Sequence, residues 1–358
     1  MNPDELKTLL RKYEKGRCTA DEHDIVDGLL DNMSDKAGQE IIDWRLWKRV
    51  NPGRKERIYL VIVTTIIGLI GIAVAISYFR YRPMINRKIA AYSTVPGRKA
   101  VLLKLPGGRT VNLSAINMGD YIEDEGVMVC KNGNGQIAYA YKGNTTDRVR
   151  MHRIVIPNGG RFNVLLPDGT SVMINSGSTI TYPTHFTGPE RRVDLVGEAY
   201  FEVAKDALHP FVITSNGQQV KVLGTEFNIH AYPEAAMVTT LVKGSIELYT
   251  KGDKPKRLKP GEESVLYGAL FAVRKANVRS AIAWKEGEFL FQSARLSDIL
   301  PQLEHWYDVE FVYDDLPDDN FTLATERSAP LSKILSLLEY SSEKQLKFTM
   351  EGRKIIIK

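Results

Sequence analysis

With 358 residues the chain is long enough for two or three separately cored regions, at roughly 100–200 residues each. Its 43% hydrophobic and 25% charged residues, with 28 Gly and 16 Pro, exclude collagen-like and disordered classes. Two cysteines cannot build a disulfide framework or a four-ligand zinc site. The net charge of +5, from 48 basic and 43 acidic residues, is too thin an excess over this length for a nucleic-acid surface.

The first elements are short and helical. Leu6, Leu9, Leu10 and Tyr13 recur at i, i+3, i+4 and i+7, and Gly16 follows as a stop signal. A second helix opens with Thr19 and Glu22 in capping-box spacing and is expected to bury Ile25, Val26, Leu29, Leu30 and Met33. Ser34 can cap a third, which places Ile41, Trp44 and Trp47 on one face. So small a segment supports little core, so the two tryptophans either pack back into it, lie in a headgroup region or offer apolar surface to a partner. Twelve acidic and twelve basic residues in 1–57 disfavour direct DNA binding.

Ile58 to Phe79 is a run of 22 residues without a charge, the length of helix that crosses a hydrocarbon core of roughly 30 Å. Arg54, Lys55, Arg57 and Tyr59 bracket one end, and Tyr78, Arg80, Tyr81 and Arg82 the other, as headgroup anchors. Six Lys or Arg within fifteen residues on the N-terminal side, against four on the other, orient the N-terminus inward. Cys18 and Cys130 then lie on opposite sides of the bilayer and cannot pair, and Cys130 is expected in a strand. Gly71 and Ala75 form a small-xxx-small step.

From Val95 the pattern becomes short apolar runs broken by Gly, Pro, Asn and Asp, which predicts an all-β domain, a sandwich or short β-roll. The stretches 95–114 and 156–175 echo each other 61 positions apart: VPGRKAVLLKLPGGRTVNL and IPNGGRFNVLLPDGTSVMI. Each reads as a hairpin whose turn needs glycine at positive φ. Further strands are expected at VDLVGEAYFEV, FVIT, QQVKVLGTEFNIHAY, TTLVKGSIELYT and SVLYGALFAV. After Trp284 two βαβ passes follow, with Leu296, Ile299, Leu300, Leu303 and Trp306 on the first helix and Leu331, Ile334, Leu335 and Leu338 on the second, a compact α+β module. The resulting plan is multidomain: an all-α segment 1–57, a transmembrane helix 58–79, a β-rich domain 80–280 and a C-terminal α+β module 281–358.

Enzymatic signatures fail on context. Gly133, Gly135 and Ala138 spell a dinucleotide fingerprint but sit in a hairpin turn with no following helix. His23, His152, His185, His209, His230 and His305 lack metal-ligand spacing, and Ser176 and Ser178 do not complete a nucleophile elbow. Glu262/Glu263, Asp314/Asp315 and Asp318/Asp319 lie beside Pro or Gly and read as solvated turns. No metal or cofactor and no turnover of a small substrate are expected. Gly224-Thr225 is the exception: a hydroxyl beside a strained peptide can attack the preceding carbonyl, a single-turnover self-cleavage.

The strings VLLPDGTSVMINSGSTITYPTHFTGPERRVDLVGEAYFEVAKDALHPFVI, VKVLGTEFNIHAY, LVKGSIELY and LKPGEES closely resemble the FecR family of inner-membrane anti-sigma regulators. The tail AWKEGEFLFQSARLSDILPQLEHWYDVEF resembles the extra C-terminal domain of family members from Bacteroidetes, similar to the signalling domain of TonB-dependent transducers. The match covers about residues 150 to 358. The resemblance implies a single-pass inner-membrane protein with a cytoplasmic N-terminus and a periplasmic C-terminal region. An outer-membrane TonB-dependent transducer would engage the periplasmic part, and the cytoplasmic helices would alter their hold on an extracytoplasmic-function sigma factor. It makes Ile41, Trp44 and Trp47 the candidate sigma contacts, and Leu296, Leu300, Leu303 and Trp306 the scaffold of the transducer-facing module. It also implies self-cleavage at Gly224-Thr225, as in some relatives, with periplasmic and intramembrane proteases completing the switch. The competing reading is a membrane-tethered periplasmic scaffold or glycan-binding protein without sigma-factor control.

Overall fold

The computed structural model describes residues 2–32, 65, 68, 71–72, 100–124, 126–133, 136–141, 149–343 and 346–358. The chain divides into two compact units, Met1–Met84 and Ile85–Lys358.

In the first unit, helices Pro3–Glu14 and Ala20–Asn32 form where periodicity places them. Gly16 ends the first at φ 61°, and the capping box closes the start of the second: Thr19 N–H donates to Glu22 Oε2 at 3.1 Å and Glu22 N–H to Thr19 Oγ1 at 3.4 Å. Lys12 Nζ donates to Glu22 at 2.8 Å and Tyr13 Oη to Asp27 at 2.7 Å, holding the pair together. The burial expected of the second helix is only partly realised. Val26 is fully buried, but Ile25 and Leu29 are 50% and 38% exposed. Two helices this short meet along one stripe, so neighbouring faces are left uncovered among the described residues. The third helix expected around Ile41, Trp44 and Trp47 lies outside the described residues, as does Ile58–Phe79 apart from Thr65, Gly68, Gly71 and Ile72, which are helical. Among the described residues no helix is long and apolar enough to cross a membrane.

The second unit is mostly β. Among the described residues, eighteen strands from Leu102–Lys104 to Leu270–Lys275 form one continuous hydrogen-bonded system of two sheets that share strand Arg191–Glu202. Its first half pairs antiparallel with Thr179–Pro183 and parallel with Phe211–Ser215; its second half pairs with Ser171–Ile174 and Glu226–Ala231. A strand that changes sheets makes the corner of a sandwich. One apolar cluster fills the space between, with Leu103, Ile154, Ile180 and Leu195 from one sheet and Val172, Phe201, Phe227 and Ile229 from the other.

The internal echo is structural. Lys104 pairs with Thr110, and 61 residues later Leu165 pairs with Ser171, so both hairpins share one register. The turns match as well: Leu105 N–H donates to Arg109 O and Leu166 N–H to Thr170 O, each at 2.8 Å, while Gly108 and Gly169 stand at φ 88° and 84°.

Three expected strands are each two. QQVKVLGTEFNIHAY breaks into Gln218–Val222 and Glu226–Ala231, TTLVKGSIELYT into Met237–Lys243 and Ile246–Tyr249, and SVLYGALFAV into Glu262–Tyr267 and Leu270–Lys275. Each break falls at a glycine at positive φ, Gly224, Gly244 or Gly268. The pair Glu262/Glu263 opens a strand instead of lying in a turn, and Glu263 accepts from Arg274 Nε at 2.7 Å.

Helix Val278–Glu286 spans the expected boundary at 280 and leads into the α+β module. Strand Glu288–Arg295, helix Leu296–Tyr307 and strand Glu310–Val312 make the first pass; Asn320–Glu326, helix Leu331–Ser341 and the hairpin Phe348–Glu351 with Lys354–Ile357 make the second. The passes are not parallel crossovers within one sheet. Their first strands pair antiparallel with each other, and Glu310–Val312 pairs parallel with Lys354–Ile357, so each pass divides between two sheets. Both helices bury their apolar stripes in a core of their own, separate from that of the sandwich.

That separation has a measurable consequence. Ile334→Ala, at a fully buried position of the module, should cost about 2–5 kcal/mol. Calorimetry should show the module's unfolding transition moved down while the sandwich transition stays in place.

Candidate functional site

Where module and sandwich meet, the contact is built of polar groups. Strand Arg191–Glu202 carries a single carboxylate, Glu198, in the stretch Gly197–Phe201, and it is buried. Its two oxygens are held by two amides: Asn175 Nδ2 donates to Oε2 at 2.7 Å and Asn228 Nδ2 to Oε1 at 2.9 Å. Each amide then presents its own oxygen to the module. Arg327 Nη1 donates to Asn175 Oδ1 at 2.9 Å, and Trp284 Nε1 donates to Asn228 Oδ1 at 3.1 Å. The five residues form a bracket centred on Glu198, and every amide orientation in it is dictated by its neighbours.

Secondary contacts surround this bracket. Tyr232 stacks on His305 with centroids 4.1 Å apart and donates to Ser176 O at 2.6 Å, while Gly159 N–H donates to His305 O at 2.8 Å. His305 Nε2 lies 3.1 Å from Glu234, and Arg161 Nη1 donates to Trp284 O and Lys285 O. His305 can come this close because residue 177 is glycine: at its φ of 67° a Cβ would sit 3.0 Å from the imidazole Cδ2. A cleft of about 320 Å3 opens beside the bracket, lined among others by Glu198, His230, Thr240, Trp284, Gln292 and Gln302.

The charges follow from this enclosure. Burial pushes the Glu198 carboxyl up, but His230, with Nδ1 at 3.6 Å, and the two amides outweigh it and hold the group below the ordinary value of 4.5. Burial pulls His230 down, but Glu198 outweighs that and leaves it above 6.5. Burial holds His305 below 6.5.

The other site singled out by sequence lies on the sandwich. Gly224 has φ 151°, and a Cβ there would be 2.6 Å from Lys205 Cγ. Its flanks are pinned: Asp206 N–H donates to Leu223 O at 2.9 Å and Val203 N–H to Thr225 O at 3.0 Å. The Thr225 hydroxyl is buried and donates to Ser245 O at 3.0 Å. A cavity of about 820 Å3 lies beside the bond, with Lys205, Asp206, Lys221 and Arg257 in its wall. His209 Nδ1 and the N–H groups of Leu208 and His209 bring Asp206 down to about 2, so the wall keeps a permanent carboxylate.

Leu296, Leu300 and Leu303 are buried in the module core, while Trp306 is half-buried and donates from Nε1 to Arg327 O at 2.8 Å. These residues shape the module from inside. Ile41, Trp44 and Trp47 lie outside the described residues. Among the described residues no group of three or more His, Cys, Asp or Glu is arranged to hold a metal. The bracket was not read from sequence, because its members lie as far as 152 positions apart. The one local signal is that Glu198 falls within the stretch Gly197–Phe201, which has no other charged residue.

Residues 152–247 match the family described as FecR protein, and residues 288–357 match the FecR C-terminal family. The chain carries a FecR region and a FecR C-terminal region. Two crystal structures of a candidate anti-sigma factor from Parabacteroides distasonis ATCC 8503, at 1.65 and 2.50 Å resolution, are similar to it at 29% identity and a TM-score of 0.54; they cover 57% and 58% of this chain and 98% of the other. No curated protein matches. The two matched FecR regions lie in the sandwich and in the module that the bracket joins.

The bracket also sets a pH dependence. Glu198, lowered in the fold, contributes above about 4.5 and loses that contribution as pH falls through its folded value; His230, raised, contributes fully below about 6.5 and loses it as pH rises through its folded value. His305, lowered, works the other way, contributing above about 6.5 and losing this as pH falls. His305→Gln should therefore gain in unfolding midpoint relative to the parent when pH drops from about 7.5 to about 5.5. Superimposable pH profiles of the two proteins would contradict the assignment.

Proposed function

We propose that this FecR-family chain is a single-pass inner-membrane regulator of an extracytoplasmic-function sigma factor, relaying the state of a TonB-dependent outer-membrane transducer from the periplasm. One observation carries the reading: a single chain joins a FecR sandwich to a FecR C-terminal module, and its solved neighbour is described as a candidate anti-sigma factor. The uncharged run Ile58–Phe79 and its basic flanks support one crossing, with residues 1–57 in the cytoplasm. The tryptophan-bearing segment with Ile41, Trp44 and Trp47 then holds the sigma factor, and the module with Leu296, Leu300, Leu303 and Trp306 at its core meets the transducer.

A single helix conducts a conformational signal poorly. Moving a two-state equilibrium from 1:99 to 99:1 takes about 5.5 kcal/mol of differential binding, and proteolysis removes that demand by making the change irreversible. Self-cleavage at Gly224-Thr225 prepares such a step. The Thr225 hydroxyl oxygen attacks the Gly224 carbonyl carbon, the C–N bond breaks, and its nitrogen becomes a free amine beside a new ester. Water then hydrolyses the ester to a Gly224 carboxylate and a free Thr225 hydroxyl. Gly224 at φ 151°, the carbonyls pinned on either side and the adjoining cavity support this chemistry. Further cuts by periplasmic and intramembrane proteases release the cytoplasmic part.

Full-length protein in detergent should capture a sigma factor from a lysate of its own cells. A chain lacking residues 1–57 should lose it, and Trp44→Ala with Trp47→Ala should weaken capture at least about tenfold, the effect of deleting aromatic anchors. Recovery of no sigma factor would favour the tethered scaffold.

On a denaturing gel the purified chain should separate into 1–224 and 225–358, with Thr225→Ala uncut and Thr225→Ser cut. The halves should co-purify under native conditions, because Glu226–Ala231 pairs with Arg191–Glu202 and Ile246–Tyr249 with Gln218–Val222 across the cut. An intact Thr225-containing chain would remove the self-cleavage step and leave the sigma-factor reading standing.

A further inference from the structure

The two apolar cores of the second unit do not merge; they are joined through the Glu198 bracket, and the module's main contribution to it is Arg327. That side chain is positioned entirely from within the module. Arg327 N–H donates to Gly287 O at 2.8 Å, Arg327 O accepts from Trp306 Nε1, and the guanidinium lies 4.7 Å from the ring centroids of both Phe289 and Trp306. It is 3% exposed, yet its partner across the boundary is an amide oxygen, not a carboxylate, and its Nε has no acceptor. Burial pulls its pKa down to about 10, with Glu198 opposing that fall.

A buried guanidinium paired in this way is costly unless its surroundings are correct to fractions of an ångström, and each group that loses its partner inside the boundary adds to the cost. On full separation, however, water satisfies all of them at once. Such a boundary is therefore steep in register and shallow in separation. The module either sits in one position or comes away, and a half-seated arrangement leaves Arg327, Asn175 and Glu198 buried and unsatisfied. The cleft of about 320 Å3 along the same seam already admits solvent beside Glu198 and Trp284. Between strand Leu270–Lys275 and helix Val278–Glu286 the chain crosses the boundary through a two-residue link, Ala276 and Asn277.

We propose that the C-terminal module is a detachable unit latched onto the sandwich by Arg327 through Asn175 and Glu198, so that the chain has a docked and an undocked state with both cores intact. Trp284 closes the second arm of the bracket through Asn228, four residues beyond Gly224. Release of the module therefore removes a side-chain contact from a strand that begins two residues after that bond and leaves that strand's pairing in the sandwich in place.

Hydrogen–deuterium exchange on the full-length chain in detergent, read by mass spectrometry without any partner added, tests the latch. In Arg327→Gln, exchange should rise at least about tenfold in the peptide carrying Gly159, whose N–H donates to His305 O across the boundary, while strand Glu226–Ala231, paired inside the sandwich, and helix Leu331–Ser341 change less than about twofold. Asn175→Ala removes the acceptor from the sandwich side without touching the module and should give the same pattern. Unchanged exchange along the boundary in both variants would overturn the latch. So would loss of protection throughout helix Leu331–Ser341 in both, which would make Arg327 part of the module's own stability.

Discussion

A single buried carboxylate organises the periphery of this protein. Glu198 cannot be ionised in a buried strand without donors, and the fold supplies Asn175, just past strand Ser171–Ile174, and Asn228, in strand Glu226–Ala231, for its two oxygens. Once those amides face Glu198, their oxygens can only point away from it. That outward orientation fixes where an N–H from outside must come, and Arg327 and Trp284 arrive there. Removing any one partner would strand a buried polar group at a cost of about 1–3 kcal/mol, so the arrangement enforces position more than it adds stability.

The chain thus uses two kinds of glue. Within sandwich and module the cohesion is apolar, with Phe201 and Phe227 stacked at 5.2 Å in one core and Leu296, Ile299 and Leu303 fully buried in the other. Such packing is non-directional and close, and is lost only on unfolding. Between them the cohesion is polar, tightly registered and replaceable by water. A protein that must hold two folded parts together and yet change their relation has reason to divide its interactions in this way.

The Gly224-Thr225 bond stands at a related point of the architecture. Strand Gln218–Val222 before it belongs to one sheet and strand Glu226–Ala231 after it to the other, so the chain changes sheets at the glycine. The second strand carries Asn228, which closes one arm of the bracket, and His230, whose Nδ1 lies 3.6 Å from Glu198. Bond and module are therefore linked by a few residues of one strand, paired on both edges with Arg191–Glu202 and Met237–Lys243. Rigid elements of this kind carry coupling over short distances without any large motion.

Much of this was legible along the chain. The helix periods near the N-terminus, the capping box at Thr19 and Glu22, the hairpin echo and the apolar stripes on Leu296–Tyr307 and Leu331–Ser341 are local patterns, decided by residues within a few positions of one another, and the fold keeps them. Long apolar runs concealed their own breaks, because a glycine in a strand pattern reads the same whether it bends the strand or ends it. Pairing of the two passes, and the bracket above all, were decided only in three dimensions. Asn175, Glu198, Asn228, Trp284 and Arg327 are unremarkable polar or aromatic positions in sequence, and nothing nearby marks them as partners. Hydrogen bonds act over about 3 Å of space whatever the separation along the chain, so local chemistry settled which strands and helices form, and tertiary packing alone settled which polar groups meet.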